Sequence, residues 1–552
     1  MEQSFIAFLE DSIKKNWDLD ALTDYKGATL QYKDVARKIE KLHIIFELSG
    51  IKQGDKIAVC GRNSSHWGVT FLAAVTYGAV IVPILHEFKS DNIHNIVNHS
   101  EARLLMVGDM VWENLNENAM PLLEGVILMN DYTLLVSRSS KLDYARDHLN
   151  ELFGKKYPRN FRREHVSYRR DTPEELAVIN YTSGTTSYSK GVMIPYRALW
   201  SNTQFAFDVL KMNPGDKLVS MLPMAHMYGL AFEFLYEFCV GCHIYFLTRT
   251  PSPKIIFQAF SEVKPNLVVA VPLIIEKIIK KNVLPKLETP AMKILLKVPI
   301  INDKIKATVR EQMINAFGGN FYEIIVGGAA FNQEIEQFLK SIDFPYTVGY
   351  GMTECAPIIC YEDWKYFKPG SCGKAAPRME VKILSPDPEN IVGEIVCKGP
   401  NVMLGYYKNP EATHAVIDKD GWFHTGDLAT MSADGHFFIK GRSKNMLLGA
   451  NGQNIYPEEI EDRLNSMALV SESIIVQRNN KLVALIHPDY DEASSMGFTA
   501  EDLEHIMDQN RVELNSQMPS FAKISGIQIH ENEFEKTAKK SIKRYLYQEA
   551  AS

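Results

Sequence analysis

The stretch 181–191 concentrates side chains that could bind a polyphosphate. It reads Tyr-Thr-Ser-Gly-Thr-Thr-Ser-Tyr-Ser-Lys-Gly and follows the apolar residues 176–179, which are predicted to form a short buried strand. Ser and Thr hydroxyls and backbone N–H groups donate hydrogen bonds to phosphate oxygens, glycine lets the backbone approach them, and lysine adds positive charge. The candidate phosphate-binding residues are Thr182, Ser183, Gly184, Thr185, Thr186 and Lys190. A polar surface loop is the alternative interpretation.

The elements around this stretch alternate between apolar strand patterns and amphipathic helix patterns. Buried strands are predicted at 56–60, 104–107, 218–222, 244–247 and 267–271, and helices at 32–48 and 303–317. Such alternation predicts an α/β fold with largely parallel sheets. The charged tract 144–172 interrupts the alternation and is predicted to be an exposed connection.

The pattern changes in the last third of the chain. After about residue 372, short strands with Gly and Asp turns predict a small β-rich subdomain, with strands at 380–384, 393–397 and 435–439. From Lys444 onwards, a helix that begins near Pro457 and a strand at 473–476 predict a separate α+β unit. At 552 residues the chain exceeds what one hydrophobic core usually supports, which also predicts at least two domains.

Composition excludes several classes of protein. Hydrophobic and charged contents of 46% and 23% are ordinary for a globular protein, and a net charge of −7 without a long basic run argues against nucleic-acid binding. The seven cysteines, an odd number without regular spacing, are typical of a reducing compartment. Cys239 and Cys242 form a C-x-x-C within an apolar run, which favours a place in the core over a metal or redox role.

One apolar stretch, 67–85, carries no charged residue and is nearly long enough to span a bilayer. Gly78 and Pro83 interrupt it, so we divide it into a buried helix that ends at Gly78 and a buried strand at 79–83. The sequence therefore predicts no transmembrane segment. The first residues lack the basic start and long apolar run of a signal peptide, so none is expected.

Six motifs in a fixed order resemble the adenylate-forming superfamily, which includes acyl-CoA synthetases, luciferases and peptide-synthetase adenylation domains. The stretch 181–191 is similar to its Y-T-S-G-T-T-G-x-P-K-G loop and not to a Walker loop, because no Ser or Thr follows Lys190. The other matches are 222–229, 327–330, 350–354, 421–427, and 441–444 with 456–461. The resemblance spans nearly the whole chain and is closest to long-chain fatty acyl-CoA synthetases.

The resemblance implies a domain organisation and an activity. A large N-terminal domain of parallel-rich α/β sheets with the β-rich subdomain is expected at 1–443. A small mobile α+β C-terminal domain, at 444–552, would rotate about a hinge at Lys444. The implied reaction activates a fatty, long-chain carboxylic acid with ATP and Mg²⁺ and transfers the acyl group to CoA. Adenylation for a carrier protein, or of another class of acid, is the alternative.

The resemblance also assigns roles to individual residues. Glu354 and Thr182 would bind Mg²⁺, and Thr353 would contact the α-phosphate. Adenine would lie against Tyr350, and His226 would line the acyl site and gate CoA entry. The remaining nucleotide contacts are assigned to Gly328, Ala329, Ala330, Gly351, Asp427 and Arg442, with both ribose hydroxyls on Asp427. Once Lys444 has rotated, the loop 449–454 would face the pantetheine tunnel.

The chain departs from the superfamily near its C-terminus. The superfamily ends in T-x-x-G-K-I-x-R, whose lysine contacts the reacting carboxylate and the α-phosphate. Here Ser541 occupies that lysine position and Lys540 precedes it, so both are candidate catalytic residues. Either Lys540 substitutes, or adenylation is badly weakened while thioester formation survives. A non-catalytic homologue that binds an acyl adenylate or a nucleotide is a further alternative. Ser187 and Ser189 also replace the usual Gly and Pro of the phosphate loop.

The expected partners are a fatty acid, ATP and CoA, and no nucleic acid. A cytoplasmic location is expected, with loose peripheral membrane association as an alternative. The oligomeric state stays open between monomer and homodimer.

Overall fold

The computed structural model describes residues 3–182, 190–249, 252–282, 299–448, 453–478, 481–537 and 541–548. These residues form an α/β fold with mixed sheets, followed by a C-terminal α+β region, which confirms the predicted fold class. The longer helices are Phe5–Lys15, Tyr32–Leu48, Ser65–Tyr77, Ser90–Ser100, Ser140–Asp147, Leu149–Lys156, Tyr196–Val209, Pro253–Val263, Pro272–Asn282, Pro299–Ala316, Gln333–Ser341, Pro457–Leu464 and Ala500–Gln517.

An eight-stranded sheet carries the candidate phosphate-binding stretch. In spatial order its strands are Gly405–Tyr406, Lys190–Pro195, Leu176–Thr182, Val80–Ile84, Lys56–Cys60, Ala102–Val107, Gly125–Leu128 and Leu134–Ser137. The five strands from Leu176–Thr182 to Gly125–Leu128 run parallel, and the edges are antiparallel. The parallel strands are nearly continuous runs of buried residues, as expected where helices cover both faces.

Two smaller sheets with parallel strands lie in the N-terminal part. One contains Lys217–Ser220, His243–Phe246, Asp20–Asp24 and Thr29–Gln31, and the other Val268–Ala270, Ile324–Val326 and Tyr346–Val348. The second is parallel throughout, so the carboxyl ends of its strands lie at one edge. The residues that follow those ends are the glycine turn after Val326 and the segment that begins at Gly349.

Short antiparallel strands follow, and those after about residue 372 agree with the predicted β-rich subdomain. One sheet contains Tyr350–Gly351, Ile358–Tyr361 and Lys374–Ala375, and the next contains Glu380–Leu384, Gly393–Lys398, Phe423–Met431 and Phe437–Arg442. The C-terminal region has the pair Leu447–Leu448 and Asn454–Ile455, and a sheet of Val470–Arg478, Lys481–Pro488 and Gly526–Ile529. The helix Pro457–Leu464 begins at the predicted proline.

The described residues form four separate hydrophobic clusters, and two of them bear on the domain organisation. The largest one collects buried residues between Phe5 and Phe437, and another collects residues between Ile455 and Ile524. A second core after residue 444 agrees with a C-terminal unit that buries its own apolar side chains. The exact boundary at residues 443 and 444, and rotation about Lys444, stay predictions.

The apolar stretch 67–85 divides as predicted. Ser64 accepts a hydrogen bond from Trp67 N at 3.1 Å and caps the helix Ser65–Tyr77, which ends at Gly78 in the left-handed conformation, with φ +94°. The strand Val80–Ile84 follows. Within the described part of the chain, no helix is long and apolar enough to cross a membrane.

The prediction for the tract 144–172 is wrong. It contains the helix Leu149–Lys156 and most of Ser140–Asp147, and it buries Phe161, Val166 and Tyr168. Asp171 in the same tract is buried and accepts hydrogen bonds from the first helix, at 3.1 Å from Phe5 N and 3.0 Å from Ile6 N. The sequence prediction failed because the many charged residues of this tract obscured the pattern of apolar residues that pack on the core.

Candidate functional site

The candidate phosphate-binding stretch is the connection of a β-hairpin. The strands Leu176–Thr182 and Lys190–Pro195 pair antiparallel, with Thr182 opposite Lys190. Both residues are half-buried and line the large cleft described below. Ser183, Gly184, Thr185, Thr186, Ser187 and Ser189 lie outside the described residues.

Lys190 and Glu354 are joined through Tyr406. The Lys190 Nζ lies 4.7 Å from the centroid of the Tyr406 ring, and the Tyr406 hydroxyl donates a hydrogen bond to Glu354 Oε1 at 3.0 Å. Burial, together with the Glu354 carboxylate, raises the pKa of Tyr406, so its hydroxyl stays protonated and donates. The cation, the ring and the carboxylate thus form one contiguous group beside Thr182.

Glu354 is held by local backbone structure. It belongs to the single turn Thr353–Cys355, which links the strands Tyr350–Gly351 and Ile358–Tyr361. Its backbone carbonyl accepts a hydrogen bond from Met403 N at 2.8 Å. The side chain of Glu354 is half-buried and lines the cleft, and Thr353 beside it is buried.

Asp427 is enclosed by two hydrogen-bond donors. The Tyr350 hydroxyl donates to Asp427 Oδ2 at 2.5 Å, and Arg442 Nε lies 2.7 Å from Oδ1. Strand register places Asp427 opposite Arg442, so the ion pair follows from the sheet itself. Asp427 is only 5% exposed, and this burial raises its pKa despite the neighbouring Arg442 and Tyr350. The sequence prediction did not anticipate that both carboxylate oxygens would already hold protein donors.

Glu394, which the sequence analysis did not single out, shapes the strand before Asp427. Its Oε1 accepts a hydrogen bond from Gly426 N at 3.0 Å, and its Oε2 lies 3.0 Å from His424 Nδ1. Pairing between the two strands shifts register here, and Gly426 has a φ of +72°. The carboxylate therefore stabilises a bulge of the kind often found beside active sites. Glu394 lies on the neighbouring paired strand, about thirty residues earlier in the chain, so the sequence gave no signal of this contact.

The glycine turn 327–330 follows the strand Ile324–Val326, which the sequence analysis did not predict. Gly328 has a φ of +90°, and Gly328, Ala329 and Ala330 are exposed to the cleft. Gly351, on the neighbouring segment, has no room for a side chain, because a Cβ there would lie 2.2 Å from the carbonyl oxygen of Pro357. A ligand can approach the backbone of these residues closely, because their side chains are small or absent. Such a surface suits a flat ligand such as a nucleobase.

His226 precedes the short helix Met227–Leu230 and is half-buried at the cleft. The strand before it ends at Ser220, two residues earlier than the predicted strand 218–222. Five residues of irregular backbone intervene, beginning with Met221. These residues are held by side chains from elsewhere in the chain, which are described further below.

A row of aromatic rings lines the cleft beyond His226. Tyr228 and Phe232 have centroids 6.4 Å apart, Phe232 and Phe205 6.0 Å, and Phe205 and Tyr361 5.5 Å. The Tyr228 hydroxyl donates to the carbonyl oxygen of Ile325 at 3.1 Å, which fixes that ring against the parallel sheet. This wall can accommodate an apolar group.

The C-terminal motif forms the stem of a hairpin. Lys536 pairs with Ile542 in a β-bridge, and Thr537 N donates to the Ser541 carbonyl at 2.8 Å. Ser541 therefore belongs to the stem, and it lines the cleft. Lys540 lies outside the described residues. Arg544, three residues further on, forms an ion pair with the buried carboxylate of Glu461.

Residues on both sides of the predicted hinge contact the start of the next helix. Lys444 lies in the turn Ser443–Asn445. Asn445 Nδ2 donates to Glu458 Oε1 at 2.6 Å, and Lys440 Nζ lies 2.9 Å from Glu459 Oε1. The start of helix Pro457–Leu464 is thereby tied to both sides of Lys444. The loop 449–454 is described only at Gln453 and Asn454.

A cleft with a volume of about 3120 Å³ brings most of these residues together. Its lining includes Thr182, Lys190, His226, Gly328, Ala329, Ala330, Tyr350, Gly351, Thr353, Glu354, Arg442, Lys444 and Ser541. Asp427 reaches it through its partners Tyr350 and Arg442. Within the described ranges, no group of three or more His, Cys, Asp or Glu side chains is arranged to hold a metal ion.

All seven cysteines, including Cys239 and Cys242, are free thiols in the interior. This confirms that the C-x-x-C belongs to the core. Burial raises the pKa values of the Cys239 and Cys242 thiols, which keeps them protonated and unreactive.

The chain is similar to known proteins along most of its length. Residues 9–407 match the family model of AMP-binding enzymes, and residues 444–550 match that of the AMP-binding enzyme C-terminal domain. The chain is 29% identical to long-chain-fatty-acid–CoA ligase 5 of Rattus norvegicus over 78% of its own length and 67% of that protein. It is 26% identical to the chloroplastic long-chain-fatty-acid–[acyl-carrier-protein] ligase AEE15 of Arabidopsis thaliana, over 87% and 76% of the two chains.

A solved structure shares the fold. The crystal structure of ATP-bound MatB from Rhodopseudomonas palustris superimposes with a TM-score of 0.77 at 21% identity, covering 99% of this chain and 98% of that one. With a family model that matches most of its length, this chain belongs to the AMP-binding enzyme family.

Proposed function

We propose that this protein is an ATP-dependent acid–thiol ligase that activates a fatty, long-chain carboxylic acid as acyl-AMP and transfers the acyl group to CoA. The observation that carries the proposal is that one cleft joins three kinds of surface. These are the hairpin residues Thr182 and Lys190, the paired residues Tyr350 and Arg442 around Asp427, and the aromatic wall beyond His226.

In the first step, a carboxylate oxygen of the acid attacks the α-phosphorus of ATP. The bond between that phosphorus and the bridging oxygen breaks, and pyrophosphate leaves with the electron pair. Lys190 and the hydroxyls of the hairpin connection would hold the β- and γ-phosphates. Thr353 would contact the α-phosphate.

The nucleoside would bind between the glycine turn and Tyr350. Asp427 Oδ1 and Oδ2 each retain a lone pair beyond their present partners, so ribose hydroxyls can donate to the same carboxylate. Arg442 would stay beside the sugar as a second donor. Gly328 and Gly351 leave the backbone accessible to the adenine ring.

Glu354 is the described carboxylate best placed to bind Mg²⁺. A single half-buried carboxylate fits this ion, because Mg²⁺ at nucleotide sites is commonly held by one or two carboxylates together with substrate phosphates and water. Thr182 would supply a hydroxyl oxygen. The ion would offset charge on the phosphates, while Tyr406 fixes the orientation of the Glu354 carboxylate through its hydrogen bond.

In the second step, the CoA thiolate attacks the acyl carbon, and the bond from that carbon to the AMP oxygen breaks. His226 would border this reaction, and rotation about Lys444 would bring the loop 449–454 toward it. A change of a few backbone dihedrals at a hinge can absorb such a rotation. The domains 1–443 and 444–552 remain part of the proposal.

Two observations support a fatty acid as the substrate. The two curated relatives above are both named for long-chain fatty acids, and the described wall of the cleft is apolar and aromatic. Those relatives differ in their acceptors, because one is named for CoA and the other for acyl-carrier protein. Transfer to a carrier protein, or use of another acid class, is therefore the second candidate.

A third reading follows from Ser541. With serine where the superfamily has lysine, adenylation would be weak, and the chain would act mainly on a preformed acyl adenylate. We propose a cytoplasmic enzyme, with loose membrane association as an alternative.

Coupled measurement of AMP and acyl-CoA over a series of acids of increasing chain length tests the proposal. We expect both products, with maximal turnover for long-chain acids. AMP formation without acyl-CoA would favour the carrier-protein reading, and maximal turnover with short or aromatic acids would overturn the fatty-acid assignment. An absence of AMP with every acid would overturn the enzyme assignment.

A further inference from the structure

The irregular backbone that precedes His226 is held by a buried carboxyl group. Glu233 Oε2 accepts hydrogen bonds from Met221 N at 3.0 Å and Leu222 N at 2.8 Å, and from the Ser220 hydroxyl at 3.3 Å. Glu233 is fully buried. Three donors converge on one oxygen, where the strand has ended and its backbone N–H groups have lost their strand partners.

Glu233 reaches these donors because the chain folds back. It lies in the five-residue π-helical turn Ala231–Leu235, which continues the short helix that begins after His226. Gly229 permits the close packing, since a Cβ there would lie 2.7 Å from the carbonyl oxygen of Pro223. π-helical turns are rare and occur frequently at functional sites.

Two asparagines complete the hold on this segment. Asn63 donates to the Leu222 carbonyl at 2.6 Å and accepts from Met224 N at 2.9 Å. Asn180, on the strand that leads to the phosphate-binding hairpin, donates to the Ala225 carbonyl at 2.8 Å. The segment between the strand and His226 is therefore held at both ends by side chains distant in sequence.

Glu233 itself does not belong to the cleft lining, whereas Met221, Leu222 and His226 do. Burial raises the pKa of Glu233 well above its usual range even with three donors, so the group is a neutral acid in the folded protein. A neutral acid suits a structural acceptor and not a charge that acts on substrate.

We propose that Glu233 is a positioning residue that sets the backbone of residues 220–222, and through it His226 and the acid-facing wall of the cleft. The kinetic part of this inference rests on the proposed ligase function. The residues assigned to the nucleotide lie on other segments. Glu233 therefore affects binding of the carboxylic acid and not binding of ATP.

The chain offers a matched control. Glu237 lies four residues later on the same helical segment and is also fully buried, but neither of its carboxylate oxygens has a hydrogen-bond partner among the described residues. Glu233→Leu and Glu237→Leu therefore remove equally buried carboxyl groups, and only the first removes the hold on Met221 and Leu222. Glu233→Gln keeps an acceptor oxygen.

Hydrogen exchange followed by mass spectrometry tests the hold without any substrate. In Glu233→Leu, exchange of the Met221 and Leu222 amides should quicken at least about tenfold, as expected when a buried hydrogen bond is lost. Glu237→Leu and Glu233→Gln should match the wild type in this segment. Unchanged exchange in Glu233→Leu, or an equal increase in Glu237→Leu, would overturn the proposal.

Kinetics then test its consequence. Glu233→Leu should raise the KM for the acid about tenfold or more and leave the KM for ATP within about twofold, with Glu233→Gln restoring the acid KM. Equal increases in both KM values, or failure of glutamine to restore the acid KM, would overturn the positioning role. If Glu233→Leu does not fold, Asn63→Ala replaces it, with faster exchange expected at Met224 and the same selective rise in acid KM.

The exchange and kinetic experiments distinguish a failure of this inference from a failure of the proposed function. A wild-type protein that forms no AMP refutes the ligase proposal, while the exchange comparison still decides whether Glu233 holds residues 220–222.

Discussion

Tyr350 donates its hydroxyl hydrogen to Asp427 at 2.5 Å, although the two residues belong to different sheets. This bond joins the segment that carries Glu354 to the strand that carries Asp427. The other oxygen of Asp427 contacts Arg442 at 2.7 Å. The carboxylate is thus oriented before any nucleotide binds, which lowers the entropic cost of binding.

Asp427→Ala should weaken nucleotide binding without unfolding the protein. Hydrogen bonds to a charged group contribute about 1.5–3 kcal/mol, so the KM for ATP should rise on the order of 10- to 150-fold. Calorimetric titration with AMP and steady-state kinetics both report this change. Asp420→Ala, at an exposed turn of the same region, is the control and should leave both values unchanged. A wild-type KM in Asp427→Ala would show that the ribose lies elsewhere.

Glu354→Gln should reduce the rate by weakening Mg²⁺ use. The amide keeps the size of the side chain and removes its charge, so a higher Mg²⁺ concentration should be needed for half-maximal turnover. Titration of MgCl₂ at saturating ATP measures this shift. Tyr406→Phe removes the hydrogen bond to Glu354 and retains the ring beside Lys190, so its shift should be smaller. An identical Mg²⁺ dependence in Glu354→Gln and wild type would refute the assignment.

Ser541→Lys should raise adenylation more than thioester formation from a preformed acyl adenylate. A cation in that position would offset charge on the carboxylate and α-phosphate in the first transition state only. Pyrophosphate exchange measures the first step directly. Lys543→Ala is the control, because Lys543 pairs with Glu535 at 3.2 Å.

The competing account assigns the role to Lys540. Under that account Lys540→Ala abolishes pyrophosphate exchange and Ser541→Lys changes little. This pair of results would contradict the assignment of the lysine position to Ser541.

Three buried glutamates should each contribute a loss of stability as the pH rises from about 5 to 8. The pKa values of Glu237, Glu323 and Glu336 are raised by burial to about 8, from an ordinary value of 4.5. Both states are protonated below 4.5, whereas between the two values the unfolded chain loses protons that the folded chain keeps. Each such group then lowers the free energy of unfolding by about 1.4 kcal/mol per pH unit.

Glu237→Gln should remove one of these contributions. Its melting temperature, relative to wild type, should rise progressively between pH 5 and pH 8. Glu501→Gln, at an exposed position on the helix Ala500–Gln517, should track the wild type at every pH. A constant difference between Glu237→Gln and wild type across this range would show that Glu237 does not titrate as inferred.

Phe205→Ala should shift acid preference toward longer or bulkier chains. Phe205 is buried and forms the centre of the aromatic wall, between Phe232 and Tyr361, so truncation enlarges the cleft there. The ratio of kcat/KM values across acids of increasing length measures the shift. Phe207→Ala, on the same helix but 39% exposed, should leave the ratios unchanged. Unaltered ratios in Phe205→Ala would place the acyl chain elsewhere.

Local elements could be predicted from the residues alone. The helix Tyr32–Leu48 and the strands Lys56–Cys60 and Glu380–Leu384 have the predicted bounds. The helix and strand within 67–85 also follow the prediction. The spacing of apolar residues and the positions of Gly and Pro determine helices and strands over a few residues. Both can be read directly from a linear sequence.

The motifs likewise identified which side chains gather at the cleft. Thr182, His226 and Glu354 line it together, as their membership of ordered motifs predicts. The motifs did not reveal how these residues are supported, because their partners lie on other elements.

Tertiary structure alone decided those partners. Tyr406 lies between Lys190 and Glu354, Glu394 shapes the strand before Asp427, and Glu233 folds back onto Met221 and Leu222. Each contact joins groups whose proximity depends on sheet order, on a shifted register or on a π-helical turn. Such contacts form only when distant segments pack, since a hydrogen bond is set by the positions of two atoms in space and not by their separation along the chain.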